Sequence, residues 1–258
     1  MINYIDKFPI FLLIFVRVTA FFLMMPIFSY RTIPNSQKIG LGFFLAWILF
    51  FSNDAQNVEI DGFYFLLILK EAFVGIFLGF IAYLILSAIQ IAGGFIDFQM
   101  GFTIANVIDP QTGSQSPLMG QFLNTIALFF LLTVNGHHLL IDGIMSSYHF
   151  IPVDQPWIHL GNEGFVVSVM KAFNLMFLIA FQMAIPVVGS LFLVDVALGI
   201  VARTVPQINV FVIGLPLKIG VSFAILIAII SVMITVITKL FETMLKIMHD
   251  MMLLLGGS

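Results

Sequence analysis

The chain has 258 residues, of which 61% are hydrophobic and only 9% charged, with a formal charge of −3 and no cysteine. A soluble domain carries about 25% charged residues, so a chain with a mean hydropathy of +1.14 cannot clothe a water-facing surface and must present most of itself to lipid or to apolar protein. Disulfides, thiolate metal sites and cysteine nucleophiles are excluded, and no Lys/Arg cluster supplies the electrostatics of nucleic-acid or polybasic lipid binding.

The apolar runs predict an all-α membrane protein, a single integral membrane domain over residues 1–258. Phe8–Phe28 is too long for a signal-peptide core and lacks a small-x-small cleavage site, so it reads as a retained spanning helix with Arg17 in its middle. Ile39–Phe51 is short for ~30 Å of hydrocarbon. Phe63–Ile91 is long and holds Lys70 and Glu71. Adjacent residues point about 100° apart on a helix, so these two are expected to find other partners: Arg17, Asp195 or a neighbouring chain. The same run carries Gly75-x-x-x-Gly79 beside Ala72 and Ala82, a small-residue face for close helix packing, within the chain or between subunits. Gly94–Val107 is a possible half-buried seventh piece.

Phe122–Ile141 is the next span. At its end His138 and Asp142 stand at i, i+4, a spacing a metal could use, but no third ligand follows at fixed spacing and interfacial histidines explain the pattern as well. Ser114 and Ser116 lie in no nucleophile elbow, and no phosphate-loop lysine follows the glycines; nothing here points to an enzyme or a cofactor. Ala172–Val201 contains Pro186, Gly189 and Asp195. Val210–Leu240 contains Pro216, Lys218 and Gly220. These prolines are expected to kink or interrupt their helices. Between the two runs, Arg203, Pro206, Gln207 and Asn209 form either a polar hairpin tip or a partner site at a broken helix. Each charge in mid-membrane costs about 2.5–3.5 kcal/mol on insertion scales and so faces a bundle interior or water. Loop cations divide four (Lys7, Lys171, Lys239, Lys246) against three (Arg31, Lys38, Arg203), too even to orient the chain.

The stretch between the third and fourth runs, "GGFIDFQMGFTIANVIDPQTGSQSPLMGQF", is different in kind. It holds Asp97 and Asp109, no cation, and many glycine, proline, amide and hydroxyl residues. Irregular backbone at membrane depth survives only inside protein or beside water. From composition alone, this is either a solvent-exposed connector or a segment that fills an aqueous path.

That stretch, with "FLVDVALGIVARTVPQINVFVIGLPLKIG" and "FLLIFVRVTAFFLMMPIFSYRTIP", resembles the FliR family of flagellar export-gate proteins and their injectisome counterparts, and the motif wording is closer to the flagellar branch. The resemblance runs from end to end, with no fused domain after the last segment. It implies kinked helical hairpins in a helical gate built with FliP and FliQ, beside FlhB and FlhA, in the type III secretion apparatus of the bacterial inner membrane and flagellar basal body. It implies a FliP-like part followed by a FliQ-like hairpin, around a pore for unfolded flagellar subunits. It also makes the loop from about Asn106 to Phe122 the pore plug, with Asp109, Pro110, Gln111, Gly113, Gln115, Pro117 and Gly120 at its contacts. Arg17, Lys70, Glu71, Asp195, Arg203 and Lys218 would then be polar contacts within the membrane or between subunits. A self-contained transporter would instead line its path with Lys70, Glu71 and Asp195.

Overall fold

The computed structural model describes residues 7–28, 33–52, 58, 60–102, 117–158, 163–207 and 209–257. Among them are seven α-helices and no strand: α1 (Phe8–Met24), α2 (Asn35–Ser52), α3 (Gly62–Met100), α4 (Leu118–Thr133), α5 (Gly136–Phe150), α6 (Glu163–Thr204) and α7 (Val210–Gly256). The protein is all-α. Helices α3, α6 and α7 are long and apolar enough to cross a membrane, and the bent pair α4–α5 makes up to a fourth span.

Local chemistry sets the helix ends. Pro9 opens α1, where its missing N–H costs nothing. Asp61 caps α3 by accepting from the N–H groups of Phe63 and Tyr64 at 2.9 and 3.1 Å. Asn209 caps α7 in the same way, accepting from Phe211 and Val212 at 3.1 and 3.4 Å. Helix α3 ends at Gly101, whose φ of +88° suits glycine. The N–H of Phe102 returns to Asp97 O at 3.0 Å and that of Gly101 to Phe98 O at 3.2 Å, a Schellman ending.

The chain forms two compact units: Met1–Leu86, Leu132–Phe173 and Phe241–Ser258 make the first, Ser87–Leu131 and Asn174–Leu240 the second. In the first, α1 is held on two sides. Against α2, Phe11 meets the rings of Phe43, Trp47 and Phe50 edge-on, at 5.4, 5.8 and 5.9 Å. Against α3, Gly75 and Gly79 admit the α1 backbone: a Cβ on Gly75 would lie 2.2 Å from Arg17 O, and one on Gly79 2.9 Å from Phe21 O. The Gly75-x-x-x-Gly79 face therefore packs inside the chain. Leu13, Ile14, Val18 and Phe21 of α1 and Leu78, Ile81 and Ile85 of α3 are fully buried. In the second unit the end of α3 packs on α4, and α6 and α7 run as a hairpin in which Gly214 faces Leu198.

Three expectations change. The run Phe122–Ile141 is not one helix: it breaks at Val134 and Asn135, and Asn135 takes a left-handed φ of +57°, a conformation asparagine tolerates. Gly94–Met100 forms no separate piece but continues α3. Pro186 and Pro216 interrupt nothing; α6 and α7 run on for 42 and 47 residues with these prolines inside them. In apolar surroundings an unravelled turn has no water to satisfy its backbone, which outweighs the one bond each proline removes. Pro206 stands in a turn between α6 and α7.

Candidate functional site

The densest polar chemistry in the first unit centres on Arg17 of α1, which is fully buried. Its guanidinium makes a fork to Glu71: Nε donates to one carboxylate oxygen and Nη2 to the other, the latter at 2.8 Å. Nη1 donates to Ser147 Oγ at 3.0 Å, and Nη2 also to the carbonyl of Ile151 at 2.8 Å. The Tyr148 ring lies under the guanidinium carbon at 4.1 Å, and its hydroxyl donates to Ile14 O at 3.2 Å. Glu71, also fully buried, binds Lys70 Nζ at 2.7 Å. Lys70 donates further to the carbonyls of Pro152, Val153 and Gln155 at 2.7, 3.2 and 3.0 Å. Two cations thus share one anion, and backbone carbonyls after α5 satisfy the rest.

The Arg17–Glu71 pair is one of the partnerships expected from the sequence. The Lys70–Glu71 contact corrects the expectation that neighbours cannot pair. The 100° separation holds for their Cβ atoms, but the four-carbon lysine stem bends its ammonium into the same polar pocket. Ser147, Tyr148 and the carbonyls from Ile151 to Gln155 were not foreseen; no sequence signal marks a backbone carbonyl as a charge ligand.

The second unit holds two further constellations. Where α3 meets α4, Gly93 and Gly120 touch through backbone: a Cβ on Gly93 would lie 2.2 Å from Gly120 Cα. Buried Asp97 accepts from the N–H of Met119 at 3.0 and 3.2 Å, one bond to each oxygen. Gly120 thus stands buried in the first turn of α4, and Pro117 just before that helix. Asp109, Pro110, Gln111, Gly113 and Gln115 lie outside the described residues. Further on, Asp195 of α6 pairs with Lys218 of α7 and accepts from Gln99 Nε2 of α3 at 2.8 Å. Both partners are partly exposed and line a cleft of about 630 Å³ with Phe98, Gly101, Leu198 and Phe211. Arg203 sits exposed in the last turn of α6, and Pro206 and Gln207 are exposed beyond it, as a polar hairpin tip requires. His138 and Asp142 are both exposed on α5.

The model of bacterial export proteins, family 1, matches residues 8–244. The chain belongs to this family. It is 57% identical over 255 residues to the flagellar biosynthetic protein FliR of Bacillus subtilis (strain 168), covering 98% of each chain. It is 30% identical over 235 residues to FliR of Escherichia coli (strain K12), covering 91% of this chain and 89% of that one. The Yop proteins translocation protein T of Yersinia pestis is 26% identical over 215 residues, covering 82% of each. The resemblance to FliR read from three motifs thus extends over nearly the whole chain.

Proposed function

We propose that this chain is a subunit of a flagellar type III export gate, placed in the inner membrane at the flagellar basal body. It works there with FliP-like and FliQ-like subunits beside FlhB and FlhA, and helps to form and plug the pore through which unfolded flagellar subunits leave the cell. The observation that carries this reading is the 57% identity to a flagellar FliR over 98% of both chains. The injectisome relative, at 26% over 82%, supports the same apparatus but a different branch less well.

Two features agree with a subunit that works inside an assembly. In α6 and α7 only 17% of the most apolar window is buried within the chain, against 61% in α3, so large apolar faces await a cover. Residues 103–121 carry one charge, Asp109, and no aromatic side chain. A passing unfolded chain finds little there to bind, which suits a plug.

The test is native mass spectrometry of the tagged chain extracted in mild detergent. A single copy held among FliP-like and FliQ-like chains is the expected result. A stable lone monomer would overturn the gate and favour a self-contained transporter. For the plug, Gly113→Asp is expected to change secretion and small-molecule leak together; no change in either removes that role.

A further inference from the structure

Asp97 touches both ends of the segment between α3 and α4. Its backbone carbonyl accepts from Gly101 and Phe102 at 3.1 and 3.0 Å, inside the Schellman ending that Gly101 gives α3. Through its carboxylate, Asp97 accepts from Met119 and so starts α4. A helix start is ordinarily capped by the residue just before it. Here that residue is Pro117, which has no acceptor side chain, and the cap comes from another helix, 22 positions earlier. Asp97 is 2% exposed, with no cation in ion-pair contact among the described residues. Among the described residues, what faces the carboxylate is the N-terminus of α4. The packing agrees with a tight joint. Gly93 and Gly120 touch with no room for a side chain, Gly120 would bring a Cβ to 3.0 Å from Gln90 O, and a Cβ on Gly94 would meet Pro117 Cγ at 3.5 Å. A local cap would hold α4 wherever it sat; this one holds it only against α3.

We propose that Asp97 and the Gly93–Gly120 contact form a pin that keeps residues 102 and 117 at a fixed separation while the protein exports, so that Asp97 is a positioning residue and the α3–α4 junction is not what opens. This role rests on the export reading above. Any rearrangement in export must then take place elsewhere than at this joint.

The chain has no cysteine, so a Gly94→Cys/Pro117→Cys pair can be cross-linked by oxidation without background. The variants are expressed in the parent bacterium lacking the chromosomal gene, and cross-link yield, secreted flagellar protein and small-molecule leak are measured at matched protein level. The pair is expected to cross-link nearly completely and to secrete within about twofold of wild type, oxidised or reduced. Asp97→Ala is expected to lower secretion about tenfold or more and to raise leak, the scale of one lost charge-assisted hydrogen bond. Asp97→Asn, which keeps an acceptor oxygen, should lose far less, and cross-linking Asp97→Ala through 94 and 117 should restore secretion. A pair that does not cross-link, a cross-link that stops secretion until reduced, or an Asp97→Ala strain that secretes normally would each overturn the pin. A deletion strain that still swims and secretes would instead sink the export reading itself.

Discussion

Among the described residues, Glu71 is the one carboxylate touching both Arg17 and Lys70, and that asymmetry makes a sharp prediction. In Glu71→Gln, both cations stay buried with carbonyls and a hydroxyl but no anion. In Arg17→Met, Glu71 keeps Lys70 at 2.7 Å but loses both bonds of the guanidinium fork, while Ser147 Oγ and the Ile151 carbonyl lose a donor and the Tyr148 ring its cation. Removing one partner of a buried ion pair costs about 3–5 kcal/mol, and Glu71→Gln should lie at the top of that range because it strips two cations at once. Arg17→Met leaves the Ile151 carbonyl and one Glu71 oxygen without the guanidinium, but the Lys70–Glu71 pair that remains is neutral, so the loss should fall at the low end of the same range, about 3 kcal/mol. Arg17→Met/Glu71→Gln should then cost clearly less than the two single losses added, because the uncharged amide at position 71 no longer faces a guanidinium. Equilibrium unfolding in detergent, followed by tryptophan fluorescence at Trp157 and Trp47, measures all three. If Arg17→Met proved the more damaging single change, or the two losses simply added, the shared-anion account would be wrong.

Gly75→Ala drives a Cβ to 2.2 Å from Arg17 O and 2.9 Å from the Ala20 Cβ; backbone cannot yield as a flexible side chain does. A loss of about 1–3 kcal/mol is expected, measurable in the same unfolding assay, whereas Gly189→Ala, which meets nothing within 4 Å, should be neutral or slightly stabilising. Asn209→Ala removes the α7 cap and should cost about 1 kcal/mol, seen as faster backbone hydrogen exchange confined to residues 210–213. Phe192→Ser on the exposed face of α6 should leave the stability of the isolated chain unchanged within about 0.5 kcal/mol, yet weaken co-purification of partner subunits; equal recovery of partners would exclude that face from the assembly.

The apolar runs were legible because lipid-scale hydrophobicity leaves few readings. Helix α1 starts at Phe8 and α3 at Gly62, within a residue of the runs that predict them. Charges in those runs announced that Arg17 and Glu71 need partners. Which partners they take was not legible, since that depends on which helix faces meet, and Ser147 lies 130 positions from Arg17. Of the two outcomes expected at Pro186 and Pro216, interruption does not occur, because an unravelled turn there has no solvent to satisfy its backbone. Asp97 was visible as a carboxylate in a conspicuous stretch. Its role was not, because the N–H it binds belongs to another helix and no spacing rule links the two.

The lengths of the last helices bear on what kind of machine this chain serves. Large exposed apolar side chains on α6 run from Val166 to Val201, about 50 Å of helix at 1.5 Å per residue. Hydrocarbon is about 30 Å thick, and even a tilt of about 40° shortens that stretch only to roughly 40 Å. Lipid alone therefore cannot cover the apolar face of α6; some of it must meet water or another apolar protein surface, and water is ruled out by the size of the exposed patch. A self-contained transporter buries such surface against its own helices, as α3 does here. A subunit leaves it open for neighbours. The contrast between α3 and α6 within one chain is thus the physical counterpart of family membership: the first half of the fold is built to hold itself together, through Arg17, Glu71 and the glycine faces, and the later hairpin is built to be held.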